Sequence, residues 1–144
     1  MNYREIVFSI GKFNREHRNR IHAIMESEGL FYGQLPILEV VKKLGSWTQK
    51  EISKELGVTP PSVTTSVKRL VKKGYLEKKA DENDLRNTRI TITESGLEKT
   101  LACRKKFDEF DAQSFSALTE EECELFKTLI DKLIYSMEKG DKHD

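Results

Sequence analysis

The sequence lacks long apolar runs: none exceeds a few residues, whereas a membrane-spanning helix needs ~20 in succession. Charged residues are 34% of the chain against 37% hydrophobic, so a soluble protein with no membrane partner is expected. The opening MNYREIVFSIGKFNREHRNR is interrupted by charge throughout and has no small-residue cleavage site, which speaks against a secretory signal and for the cytoplasm. Cysteine is scarce. Cys103 and Cys123 stand outside any CxxC or Cys/His cluster, which argues against a disulfide framework or a structural zinc site and leaves two small apolar side chains. HExxH, GxSxG, a P-loop and GxGxxG are all missing, so no enzyme, no cofactor and no metal are expected. Of the three histidines, His17 falls on an apolar stripe between Phe13 and Ile21, and His22 with Glu26 has the spacing of a helix-surface contact. A length of 144 residues suits one domain.

Charge is present but unevenly spread. The formal net charge is +1, yet residues 48–79 carry eight Lys/Arg against three acids, a net of +5. Residues 94–144 carry eight bases against thirteen acids, a net of −5. A basic middle beside an acidic end is the footprint of a segment that meets a polyanion.

Glycines punctuate the periodicity. Ile6, Ile10, Phe13, Ile21 and Ile24 form a helical stripe ending before Gly29, which predicts a long first helix. Leu35, Leu38, Val41 and Leu44, with Pro36 in the first turn, predict a second helix over 34–44. Thr48 and Glu51 have capping-box spacing ahead of Ile52 and Leu56, and Gly57 closes that short third helix. Thr59 is placed to cap a fourth, with Pro60 and Pro61 in its first turn and Val63, Val67, Leu70 and Val71 on one side. The period then shortens to two: Tyr75–Lys79 and the β-branched Thr88–Thr93 predict a hairpin with a charged tip. Beyond Gly96 a helix carries Leu97, Leu101 and Phe115 on one side and Cys103, Phe107 and Phe110 opposite, so both faces need cover. Thr119 with Glu122 opens a last helix, and the tail from Gly140 to Asp144 reads as disordered.

Two short helices joined at Gly57 and followed by a hairpin form a winged helix-turn-helix, in which the second helix enters the DNA major groove. Opposite its buried valines that helix presents Pro61, Ser62, Thr65, Lys68, Arg69 and Lys72, with Thr64 and Ser66 on the flanks. Small hydroxyls near its start can approach base edges, and the later cations suit phosphate or guanine. A winged helix used for protein contact is the rival reading, but it calls for apolar anchors on this face rather than hydroxyls and cations.

The run Leu56-Gly57-Val58, then Ser62-Val63-Thr64, Leu70 through Leu76, Asp81-x-x-Asp84-x-Arg86 and Ile92-Thr93-x-x-Gly96 resembles the multiple-antibiotic-resistance (MarR) regulators. The resemblance implies a mainly α fold with a small β-hairpin wing, flanked by N- and C-terminal dimerisation helices. Within a single domain of 1–144, residues 33–93 would form the DNA-binding lobe, and 1–30 with 95–139 the helical dimerisation lobe. It further implies that Arg86 at the wing tip enters the minor groove, braced by Asp84. Leu85 stands between them where family members often carry a second basic residue, with Arg89 as a compensating contact. The expected partner is a double-stranded, pseudo-palindromic operator read by a homodimer, with repression the favoured mode. A small aromatic or phenolic effector would release it.

The residues support the dimer independently. The end helices have more apolar face than one small core can cover, and surplus faces are commonly buried by twofold pairing. Ile6, Ile10 and Phe13 mark one such face. Phe126, Ile130, Leu133 and Met137 mark the other, beginning at Cys123 with alternating spacings of three and four.

Overall fold

The structure, a computed structural model, describes residues 1–31, 33–84 and 86–140, Leu44 by its backbone alone. Leu85 and most of the expected tail, 141–144, lie outside them, while Gly140 ends a helix. The element order is α1 (Tyr3–Ser27), α2 (Gln34–Leu44), β1 (Trp47–Thr48), α3 (Gln49–Leu56), α4 (Pro60–Lys72), β2 (Leu76–Ala80), β3 (Thr88–Ile92), α5 (Glu94–Phe115) and α6 (Glu120–Gly140). Contacts divide the chain into two compact units, Met1–Phe107 and Asp108–Asp144.

In the first unit, β1, β3 and β2 form an antiparallel sheet in that order. The hairpin appears where alternation predicts it. The third strand, Trp47–Thr48, does not follow from sequence, because two residues are too short to show a period. Leu38, Val41, Ile52, Val63, Val67, Leu70, Leu76 and Ile90 close a core among α2, α3, α4 and the sheet. Cys103 and Phe107 of α5 join it.

The α3–α4 turn is built as its residues require. Thr48 Oγ1 accepts from Glu51 N at 3.1 Å and Glu51 Oε2 accepts from Thr48 N at 3.0 Å, completing the capping box. Gly57 ends α3 at φ 63°, a left-handed conformation that a Cβ would strain. Thr59 precedes α4 but its side chain does not cap the helix. Pro60 and Pro61 supply no N–H, and the Thr59 hydroxyl pairs with the Ser62 hydroxyl at 2.9 Å instead.

The Thr93-x-x-Gly96 motif joins the wing to α5. Thr93 Oγ1 donates to the Gly74 carbonyl at 2.6 Å and accepts from Gly96 N at 3.0 Å. A Cβ on Gly96 would lie 2.1 Å from the Tyr75 carbonyl oxygen, so only glycine lets the helix sit this close. At the far end of α1, Glu28 takes ion pairs from Lys99, at 3.0 Å, and from Lys106. These two lysines hold the Glu28 carboxyl below its ordinary value, and the Glu28 carboxylate raises Lys99.

In the second unit, α6 opens on a capping box between Thr119 and Glu122. None of its side chains is buried, and Phe126, Leu129, Leu133, Ile134 and Met137 are all exposed.

Candidate nucleic-acid interface

Helix α4 turns Val63, Val67 and Leu70 fully inward, with Val71 half-buried, which fixes the opposite face. Pro61, Ser62, Thr64, Thr65, Lys68, Arg69 and Lys72 are all exposed on it, and Ser66 is half-buried on its edge. Thr65 Oγ1 donates to the Pro61 carbonyl at 3.0 Å. Its hydrogen is thereby committed, and what the side chain offers outward is acceptor lone pairs and a methyl group. Thr64 makes the same backward bond to Pro60 at 3.0 Å and also meets Gln49 of α3 at 2.9 Å.

Not every base of the +5 segment faces out. Lys73 caps α4 and turns its ammonium back onto the Gly29 carbonyl and Gln34 Oε1, over the Phe31 ring. Burial, and then the charges of Arg69 and Lys99, lower its pKa. Charge counting cannot distinguish such an inward lysine from an outward one.

At the wing tip, Asp84 Oδ1 accepts from the Arg86 backbone N–H at 3.0 Å and Oδ2 from Asn87 Nδ2 at 3.2 Å. Asp81 makes a similar turn with Asn83 N at 2.9 Å. Asp84 therefore shapes the loop through the backbone of Arg86. Among the described residues no ion pair joins Asp84 to the exposed Arg86 guanidinium.

Arg89 is placed differently from the expectation of a groove contact. Its guanidinium donates to Ser46 Oγ at 3.0 Å, to the Ser46 carbonyl at 3.1 Å and to Glu51 at 3.4 Å. It lies directly opposite Lys79 across the β2–β3 ladder. Like charge there and the Glu51 carboxylate on the other side both favour the inward fork. Glu51 thus serves the α3 cap with one oxygen and the base of the wing with the other, a double role the capping spacing alone does not disclose.

A cavity of about 740 Å³ opens beneath this surface, bounded by α1, α2, α4 and α5. Met25, Leu35, Ile37, Val63 and Phe107 supply apolar walls, while Ser62, Thr65 and Ser66 bring α4 itself to the lining. Arg104, ion-paired with Glu39, also lines it. Among the described residues, no group of three or more His, Cys, Asp or Glu could hold a metal ion, and no helix is long and apolar enough to cross a membrane.

A capped helix, a glycine turn, a polar and cationic second helix and an Arg-tipped hairpin define a DNA-binding regulator of the winged helix-turn-helix class. The sequence model of the MarR family matches residues 31–88. The uncharacterized HTH-type transcriptional regulator YwhA of Bacillus subtilis (strain 168) is 33% identical over 67% of this chain and 70% of its own. The HTH-type transcriptional repressor MdtR of the same organism is 32% identical over 83% of this chain and 77% of its own. The crystal structure of YusO from Bacillus subtilis superposes with a TM-score of 0.83 at 27% identity, covering 91% of this chain and 93% of that one. A mutant of S. aureus MepR bound to an oligodeoxyribonucleotide gives 0.72 at 26%, covering 92% and 97%. The chain belongs to the MarR family of transcriptional regulators.

Proposed function

We propose that the chain binds a pseudo-palindromic operator as a homodimer and represses transcription by occluding a promoter. The observation that carries this reading is the exposed face of α4, with hydroxyls at its start and cations at its end. Pro61, Ser62, Thr64 and Thr65 lie against base edges and nearby phosphates in the major groove, and Lys68, Arg69 and Lys72 hold the backbone. Arg86 enters the adjacent minor groove, whose narrow, negative interior attracts a guanidinium. Asp84 orders the tip, and Arg89 holds the base of the wing. The protein acts by binding and not by catalysis, in the cytoplasm, where its operator is.

The two copies meet through Ile6, Ile10 and Phe13 of α1 and through Phe126, Ile130, Leu133 and Met137 of α6. The exposure of Ile6, Phe13, Phe126, Leu133 and Met137 supports this, with Ile10 and Ile130 half-buried. The cavity suits a small aromatic or phenolic effector, because apolar walls take a ring and the hydroxyls of α4 take a polar substituent. Occupancy would shift the helix that reads DNA, which is a route to release.

The test is binding to a palindrome beside the protein's own gene, measured across salt. Arg69→Ala or Lys72→Ala should weaken operator and random duplex alike and flatten the slope of log K against log salt by ~0.9 per lost contact. Thr65→Ala should lose discrimination among operator variants. Unchanged operator affinity in all three variants would overturn the assignment of this face.

A further inference from the structure

The contact between α3 and the reading face of α4 has an unusual form. Thr64 Oγ1 lies 2.9 Å from Gln49 Oε1 and 3.0 Å from the Pro60 carbonyl. A hydroxyl carries one hydrogen and cannot make two full donations. The nitrogen and oxygen of a carboxamide are interchangeable by a half-turn, and the hydrogen-bond network decides between them. With Gln49 Nε2 toward Thr64, the amide donates to the hydroxyl and the hydroxyl donates to Pro60, so both bonds are made. That orientation leaves Gln49 with a second N–H and its carbonyl oxygen unused. Gln49 is the first residue of α3, half-buried, one position after the Thr48 cap. In helix-turn-helix docking the first helix crosses the phosphate backbone while the second lies in the groove.

We infer that Gln49 is a positioning residue of the DNA-reading surface: its carboxamide holds the Thr64 hydroxyl in one rotamer and donates its remaining N–H to a DNA phosphate. One side chain thereby ties the depth of α4 in the groove to the backbone beside it. The inference rests on the DNA-binding reading. In the free protein the Gln49–Thr64 bond is exposed and weak. Docking removes water from it and strengthens it, so its contribution is felt in the complex rather than in folding.

The experiment uses the full-length chain and a duplex enriched by it from a random-sequence pool, with single-base variants of that duplex. Gln49→Ala and Thr64→Val, singly and together, form a double-mutant cycle. The double variant should bind no worse than the weaker single variant. Gln49→Ala should relax discrimination at the same base positions as Thr64→Val, with melting temperature unchanged in both. Gln49→Glu replaces the donor that faces Thr64 with an acceptor and opposes a phosphate, and should lose about tenfold or more in affinity, most at low salt. Additive losses in the cycle, or a Gln49→Glu variant that binds like the native chain, would overturn the inference while leaving the DNA-binding reading intact. Failure of the native chain to enrich any sequence would overturn that reading, and the inference with it.

Discussion

Arg86 and Arg89 are three residues apart and chemically identical, yet the structure gives them opposite situations. Arg89 is forked onto Ser46 and Glu51, while Arg86 is exposed and its backbone alone is held by Asp84. Arg86→Ala should therefore cost about 1–3 kcal/mol in operator affinity with little change in melting temperature. Calorimetric melting and operator titration on the same sample check this, and a lowered melting temperature with full affinity would return Arg86 to a structural role. Gly96 makes the complementary case. Glycine to alanine inside a helix ordinarily stabilises by about 1 kcal/mol. Here the added Cβ would meet the Tyr75 carbonyl at 2.1 Å and the Ile92 side chain at 2.9 Å. Gly96→Ala should destabilise the fold by about 1–3 kcal/mol, as overpacking does, and urea unfolding measures it.

At the scale of elements, ion pairs and caps join pieces that are far apart in sequence. Glu28, just after α1, meets Lys99 and Lys106 of α5. The Glu28 carboxyl is lowered from 4.5 by the two lysines, so its contribution to stability is complete above pH 4.5 and is lost as pH falls through the lowered value. Lys99 is raised from 10.5 by Glu28, so its share is complete below pH 10.5 and is lost as pH rises through the raised value. Replacing Glu28 with Gln should cost about 1 kcal/mol at neutral pH, a modest figure because the lysines are partly exposed. It should also flatten the acid limb of the stability profile below pH 4.5. Denaturant melts from pH 3 to 7 measure both, and an acid limb equally steep in the variant would assign the pH dependence to other carboxylates.

At the scale of the whole molecule, the DNA mechanism requires two copies. Half-sites one helical turn, ~34–36 Å, apart are read together only when two recognition helices are held at that separation. Helix α6 exposes Phe126, Leu129, Leu133, Ile134 and Met137 and buries none of its side chains. An exposed apolar stripe of this kind marks an interaction surface and suits twofold pairing. Light scattering should give about twice the chain mass. Changing Ile130 and Leu133 together to Asp would place like charges in an apolar contact at several kcal/mol, leaving a monomer that fails on the full palindrome. A native chain that is monomeric at micromolar concentration and binds a full site no better than a half-site would overturn the dimer and the mechanism built on it.

Helix positions, the capping box at Thr48, the hairpin and the outward face of α4 were legible in sequence because each is a local property. Apolar spacing sets which side turns inward, and caps and glycines set where a helix stops. The resemblance carried by Asp84-x-Arg86 and Thr93-x-x-Gly96 was likewise readable, although the reason for its glycine is a carbonyl twenty-one residues away, at Tyr75. Three matters were decided only by tertiary structure. Trp47–Thr48 became a strand because β3 offered an unpaired edge beside it. Lys73, counted with the basic segment, and Arg89, expected as a compensating groove contact, were drawn onto Gly29, Gln34, Ser46 and Glu51 by partners brought near through folding. The Gln49–Thr64 contact spans fifteen residues and joins two helices. A long cation or a carboxamide can turn toward solvent or toward a neighbour with little local preference, so its direction is set by which distant groups the fold places within reach.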